Sequence, residues 1–258
     1  MIDHDKNVGA ILDTIDKLGI AGNTIVIYTT DNGPHMNSWP DAAMTPFRNE
    51  KNSGWEGAFR VPAMVRWPGH IKPGAVSNDI FSGLDWFPTL VAAAGDPNIA
   101  DELKKGYSAA GRNFKNYLDG YNQLAYLTGK EDKSRRKELW YFSDDLDLLA
   151  VRYGNYKLHF MVQDSPGTLD VWQRDFRNLR FPLMINLRLD PYERAPITSN
   201  TYWDWTLDHI FLIYPLQDVL NQFLVTFKDY PPAQLPGSFT VGGVKKALFQ
   251  LEQAAGAK

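Results

Sequence analysis

The 258-residue sequence contains no cysteine. That absence excludes disulfides, zinc–thiolate sites and cysteine nucleophiles. It leaves the redox compartment open, because a cysteine-free chain works in either. A basic excess is also missing: 27 Lys and Arg stand against 30 Asp and Glu, for a formal net charge of -3. Nucleic-acid binders carry a basic stripe, so no nucleic-acid partner is expected. No uninterrupted apolar run approaches the roughly 18 residues that a membrane span needs, so no span is expected. The opening Met1-Ile2-Asp3-His4-Asp5 has no basic flank leading into an apolar stretch and does not read as a signal peptide. What is present is a 44% hydrophobic fraction with 22% charged residues, enough for a packed core. The length suits one large or two modest domains.

Val8, Ile11, Leu12, Ile15 and Leu18 recur at helical spacing, with Asp5 or Asn7 as the expected cap and Gly19 as the stop. Thr24–Thr30 is a β-branched and aromatic run, apolar on both faces, which predicts a strand inside a helix-covered sheet. Helix followed by buried strand is an α/β signature. Residues 33–60 read as a long loop and Val61–Trp67 as another strand. Asp85 is the expected cap of a helix running through Pro88 to Ala94, stopped by Gly95. One short helix is predicted around Asn113–Leu118, and the basic run Lys133–Lys137 reads as solvated surface. From Glu138 the pattern changes to short strands: Leu139–Phe142, Leu148–Tyr153, Tyr156–Val162 and Met184–Leu189, with Gly154-Asn155 as a hairpin turn. Ile210–Phe227 predicts a helix whose face Leu216, Val219, Leu220, Phe223, Leu224 and Phe227 packs on a core. These patterns predict an α/β portion over residues 1–130 and an antiparallel α+β portion over 131–258.

Asp31 and Asn32 stand at the carboxyl end of the first strand, where open α/β sheets bind ligands. Their hard oxygens suit Ca²⁺ or Mg²⁺; the alternative is an Asp-Asn-Gly turn whose side chains bond local backbone. Lys51 lies in a loop with Arg48, Asn49, Glu50 and Asn52. It reads either as a clamp for an anionic oxyester or as a surface lysine. His35 follows Asp31-Asn32-Gly33-Pro34 and is a pocket candidate, while His4, His70, His159 and His209 read as surface or hydrogen-bonded structural residues.

Asn23–Gly33 resembles the second metal-binding strand of the sulfatases. The same family shows a Lys and then Glu-Gly-x-x-Arg-x-Pro, matched by Lys51 and Glu56–Pro62. Arg66-Trp67-Pro68-Gly69, Asp85–Leu90 and the opening helix with Asp5 and Val8-Gly9 are similar to its other segments. Asn186–Glu193 resembles its C-terminal subdomain motif. The resemblance implies an alkaline-phosphatase-like α/β sandwich portion followed by a small antiparallel α+β subdomain with a four-stranded sheet. It implies sulfate-ester hydrolysis of the arylsulfatase type at a Ca²⁺ site, on a small-molecule or glycan sulfate ester. Asp31 and Asn32 take the place of a metal-ligand pair, Lys51 that of the sulfate-binding lysine, and His35 stays a pocket candidate.

The sequence departs from the family where its nucleophile is made. That group is a formylglycine formed from Cys or Ser in a Cys/Ser-x-Pro-x-Arg motif, and neither version is encoded here. The family's first metal-binding carboxylate pair has no counterpart before Asp31. The expectation is therefore a C-terminal portion of a sulfatase, inactive alone, that self-associates or pairs with an N-terminal half. For the full-length family a periplasmic or secreted location is expected. Two alternatives stay open: a phosphodiesterase or phosphonate hydrolase of the same superfamily, and a non-catalytic binding or assembly protein derived from a sulfatase.

Overall fold

The computed structural model describes residues 1–231 apart from Trp39 and Ala42. Residues 232–258, the end of the second expected domain, lie outside the described residues. Helix α1 (Ile2–Lys17) leads to strand β1 (Val26–Thr29), and the single helical turn α2 (Glu56–Phe59) precedes strand β2 (Ala63–Arg66). Helices α3 (Trp86–Ala93) and α4 (Ile99–Lys105) follow, then strands β3 (Tyr107–Ala109) and β4 (Arg112–Phe114) and the short α5 (Leu124–Leu127). Next come β5 (Glu138–Phe142), β6 (Leu148–Tyr153) and β7 (Tyr156–Gln163), the one-turn α6 (Asp170–Gln173) and the long β8 (Phe176–Asn186). Helices α7 (Ala195–Thr198), α8 (Tyr202–Asp208) and α9 (Ile213–Asp229) complete the described chain. Two compact units result. One comprises Met1–Asp31, Val61–Phe114 and Leu118–Arg136; the other comprises Asn32–Arg60, Lys115–Tyr117 and everything from Lys137.

In the first unit, α1 starts earlier than its periodicity predicts. Met1 holds the N-cap, and Asp3 and Asp5 fall in the first turn, where carboxylates meet the positive end of the helix dipole. Asp5 is therefore not the cap. Gly19, at φ 70, follows the helix as expected. No residue of α1 is buried; Asp16–Arg66 at 2.6 Å and His4 Nε2–Tyr28 Oη at 3.1 Å tie it to the strands. Strand β1 pairs antiparallel with β2, Val26 opposite Arg66. It is half-buried rather than enclosed, because β2 is its one partner among the described residues. Around residues 113–118 there is no helix: Asn113 pairs with Ser108 in the β3–β4 hairpin.

Asp85 stands at the N-cap position of α3 as predicted, but its side chain makes no capping bond to that helix. Ser82 holds the helical entry, and its side chain and that of Asp85 form a reciprocal capping box. Asp85 is fully buried, and its carboxylate also accepts from the Tyr121 N–H at 2.8 Å and meets Arg136 Nη2 at 2.6 Å. Arg136, expected in a solvated run, is thus buried; a charge with this many fixed acceptors tolerates desolvation.

The second unit is built on the antiparallel sheet β5-β6-β7-β8. Gly154-Asn155 makes the expected β6–β7 turn, with Gly154 at φ 57. Strand β8 begins at Phe176, earlier than predicted, and pairs along β7 with an irregularity between His159 and Met161. Alternation gives the sheet two different faces. Val151, Leu158 and Met184 pack against Leu216 of α9, and Trp140 stacks on Phe223 at 4.2 Å. Tyr141, Lys157, His159 and Ile185 belong to the opposite face, which Trp55 and Phe59 cover. By length and mean hydropathy, 1.3, Ile210–Asp229 is long and apolar enough to cross a membrane. Its packing is one-sided: Leu216 is buried and Phe223 is stacked on the sheet, whereas Leu224 of the predicted core face is exposed, as are Tyr214 and Val225.

Replacing one partner of the Asp85–Arg136 pair strands a buried charge. Arg136→Met is expected to lower the unfolding free energy by about 3–5 kcal/mol in urea titrations. A loss below about 1 kcal/mol, the range of exposed pairs, would show that the pair does not hold this unit.

Candidate functional site

The loop that carries His35 and Lys51 is laced to the turn α2 by backbone contacts. The Gly33 N–H donates to the Ala58 carbonyl at 2.8 Å, the Gly57 N–H to the Arg48 carbonyl at 2.8 Å, and the Lys51 N–H to the Pro34 carbonyl at 3.0 Å. These approaches require glycine: a Cβ on Gly33 would lie 1.8 Å from the Gly57 oxygen, and one on Gly57 would lie 2.1 Å from the Asn49 oxygen. Asn49 and Asn52, on either side of Glu50-Lys51, take φ 59 and 69, a left-handed conformation that asparagine tolerates. Their amides then bond the Ser165 carbonyl at 3.2 Å and the Val171 carbonyl at 2.9 Å. Glu50 is fully buried and accepts from the Met36 and Thr168 N–H groups.

This lacing brings His35 and Lys51 to one residue, Trp172. The Trp172 indole N–H donates to His35 Nε2 at 3.1 Å, and Lys51 Nζ stands 5.9 Å from the centroid of the indole ring. Because Nε2 accepts, the imidazole proton sits on Nδ1, which donates to Asn37 Oδ1. The 3.7 Å approach of His35 Nε2 to Glu50 is therefore not an ion pair in this tautomer. Asp31 and Asn32 fall in different units. Asp31 is exposed and accepts from the Thr30 hydroxyl at 3.3 Å; Asn32 is half-buried.

The chemistry of Asp31 and Asn32 suits a hard cation, but two side chains fall short of the about six to eight oxygens that Ca²⁺ takes. No group of three or more His, Asp or Glu side chains converges to hold a metal among the described residues. Those residues do not make a cation cage by themselves.

Behind α2 lies a buried ion cluster that joins Glu56 and Glu193, both in family-like motifs, to His159, which reads from sequence as a surface or hydrogen-bonded structural residue, and to Lys157. Lys157 Nζ sits 3.1 Å from Glu56 Oε1 and 2.9 Å from Glu193 Oε1, all three groups buried. Glu193 also accepts from the Glu56 N–H at 2.7 Å and bonds His159 Nε2 at 3.0 Å. Burial works to raise the Glu56 pKa, but Lys157, the Tyr141 hydroxyl at 2.7 Å and Arg60 at 3.0 Å outweigh it and hold Glu56 at about 2. Burial first, then the Lys157 charge, depress His159 to about 4 against the pull of Glu193. His159 is therefore neutral near pH 7, and its buried Nδ1 has no hydrogen-bond partner among the described residues. One sequence signal could have found the cluster: Lys157 and His159 sit two apart on a strand among apolar residues, so both turn to one face.

Residues 3–96 match the sulfatase family, and residues 134–217 match the C-terminal region of aryl-sulfatase. The chain belongs to the sulfatase family. Arylsulfatase A of Bos taurus is 37% identical to this chain over 172 residues, 64% of this chain and 30% of the relative. N-acetylgalactosamine-6-sulfatase of Rattus norvegicus is 31% identical over 221 residues, 78% of this chain and 38% of the relative. The PsFucS1 sulfatase from Pseudoalteromonas sp. superposes with a TM-score of 0.73 at 28% identity, covering 91% of this chain and 43% of that one. The chain thus spans about a third of the length of these curated relatives. Its fold is that of the sulfatases, an alkaline-phosphatase-like α/β portion followed by a small antiparallel subdomain.

Lys157→Met would remove the cation that Glu56 and Glu193 share, and it is expected to cost the fold about 3–5 kcal/mol. Glu56 and His159 both have folded-state pKa values below their ordinary ones, so the unfolded chain binds more protons and acid destabilises the fold. His159 contributes between about 6.5 and about 4, Glu56 between about 4.5 and about 2. The urea midpoint should fall continuously as pH drops from 7 to 3. A flat profile across that range would contradict the cluster.

Proposed function

We propose that this chain serves the hydrolysis of sulfate esters, as an arylsulfatase-like region that contributes the sulfate-binding lysine. The reading is carried by Lys51: it lies within the span that matches the sulfatase family and is held in place by the Gly33, Gly57 and Pro34 backbone contacts. An ammonium group fixed beside the sulfate oxygens neutralises the negative charge that grows on the leaving side as the S–O bond breaks. His35, turned toward Lys51 through Trp172, lines the same place. The names of the relatives, which include an N-acetylgalactosamine-6-sulfatase, support a sulfated glycan as the substrate.

The resemblance assigns Ca²⁺ to this reaction, with Asp31 and Asn32 lending two oxygens. The formylglycine nucleophile is not encoded here, since the chain has no cysteine and no Ser-x-Pro-x-Arg. On this reading the chain alone does not turn over substrate. Strand β1 has one neighbour among the described residues and α1 buries none of its own, which supports association with another polypeptide or with a second copy.

Calorimetry with inorganic sulfate is expected to show binding that Lys51→Ala weakens at least about tenfold, the range of a charge-assisted contact. Ca²⁺ binding should be weak, and submicromolar affinity would overturn the two-oxygen description. The unmodified chain should leave a chromogenic aryl sulfate intact; turnover abolished by Lys51→Ala would show that no external nucleophile is needed.

A further inference from the structure

Trp172 is an exposed tryptophan held still. Its side chain belongs to a residue that is 52% exposed, yet every attachment of its turn is fixed. Val171, its neighbour, is buried, and the Val171 carbonyl accepts both Asn52 Nδ2 at 2.9 Å and Gln163 Nε2 at 3.0 Å. The Thr168 N–H, at the start of the same segment, is taken by the buried carboxylate of Glu50. The indole N–H is aimed by His35. Half an indole left in water forgoes hydrophobic stabilisation, and here four separate contacts keep it there.

The spacing to Lys51 is as informative. Arg48 lies 3.4 Å from the centroid of the Trp55 ring, a closed contact with no room between them. Lys51 Nζ lies 5.9 Å from the Trp172 centroid, at the outer limit of a cation–π contact. The cation thus stands over the indole ring without closing on it, and neither group is used up on the other. The surroundings are polar: His35 and Asn37 on one side, and Asp170 and Arg174, paired at 3.4 Å, one on each side of Trp172 along the chain.

The geometry points to Trp172 as the specificity-determining residue of this site: it stacks the sugar ring of a sulfated pyranose whose sulfate lies on Lys51. This rests on the sulfate-binding reading of Lys51. A pyranose has an apolar C–H face and a rim of hydroxyls. A single indole face with hydrogen-bonding neighbours satisfies both and lets the far side stay wet. A flat aryl ester has no such rim, and aromatic ligands favour pockets that enclose most of their surface.

The test is calorimetry on the full chain with three probes: N-acetylgalactosamine 6-sulfate, inorganic sulfate and a phenyl sulfate. The unmodified chain should bind the sugar sulfate more tightly than inorganic sulfate. Trp172→Ala should weaken the sugar sulfate by up to about tenfold, the range of one aromatic contact. It should leave inorganic sulfate unchanged, and Trp172→Phe should fall between. Circular dichroism of each variant checks the fold; because Trp172 is half in water, both variants are expected to fold. Unchanged sugar-sulfate affinity in Trp172→Ala overturns the proposal, as does equal affinity of the unmodified chain for sugar sulfate and inorganic sulfate. Loss confined to phenyl sulfate overturns it in favour of an aryl ligand. Lys51→Ala separates the two readings. If it leaves inorganic sulfate binding intact, the lysine reading fails; if it abolishes that binding while Trp172→Ala has no effect on the sugar, only the Trp172 assignment fails.

Discussion

The second unit depends on one buried ammonium group. Lys157 lies on the inner face of β7 with Glu56 on one side and Glu193 on the other, each within about hydrogen-bond distance. Without it, two carboxylates would be buried close together, an arrangement proteins avoid. With it, Glu56 is held ionised, and Glu193 stays in place to accept from the Glu56 backbone N–H. That pins the turn α2, and α2 in turn supplies the Gly57 and Ala58 backbone groups on which the loop 33–51 is laced. The ionic cluster is thus the floor under Lys51. A buried ion pair does not by itself add much stability over an apolar replacement; its effect here is on geometry.

The sheet above this cluster divides its work between faces. One face is apolar and takes α9, through Leu216 and Phe223. The other carries Tyr141, Lys157 and His159 and takes the loop segment around Trp55 and Glu56. A sheet with helix on one side and functional loop on the other lets a rigid element position a site that has little regular structure of its own. The turn α6, placed by Asn52, Gln163 and Glu50, extends that support to Trp172. The first unit uses the same device once, in Asp85–Arg136, which binds the entry of α3 to the end of the unit.

Much of the architecture was legible in the residues. The helix α1, the strands β5, β6 and β7 and the turn at Gly154 rest on local rules: a 3.6-residue repeat, β-branched runs, and a glycine at positive φ. So did the resemblance that marks Asp31, Asn32 and Lys51. What was missed is of another kind. The β3–β4 hairpin and the helix α4 lie in a polar stretch with no strong period. Arg136 read as solvated because its partner Asp85 is 51 residues away. Glu56 meets Lys157 across 101 residues and Glu193 across 137, separations at which no sequence window reports an ion pair.

The sequence by itself determined the family, the order of its motifs, the absence of a cysteine nucleophile and which residues are candidates for holding a sulfate or a cation. Those are properties of residue type and near spacing, which the chain carries whether or not it is folded. Tertiary structure alone decided that His35 and Lys51 share Trp172, that a buried lysine supports them, and that β1 is half-buried with a single described neighbour. The reason is that burial and pairing are made by residues distant in the chain. A charge is solvated or enclosed according to what the fold brings against it, and the side chain itself does not change.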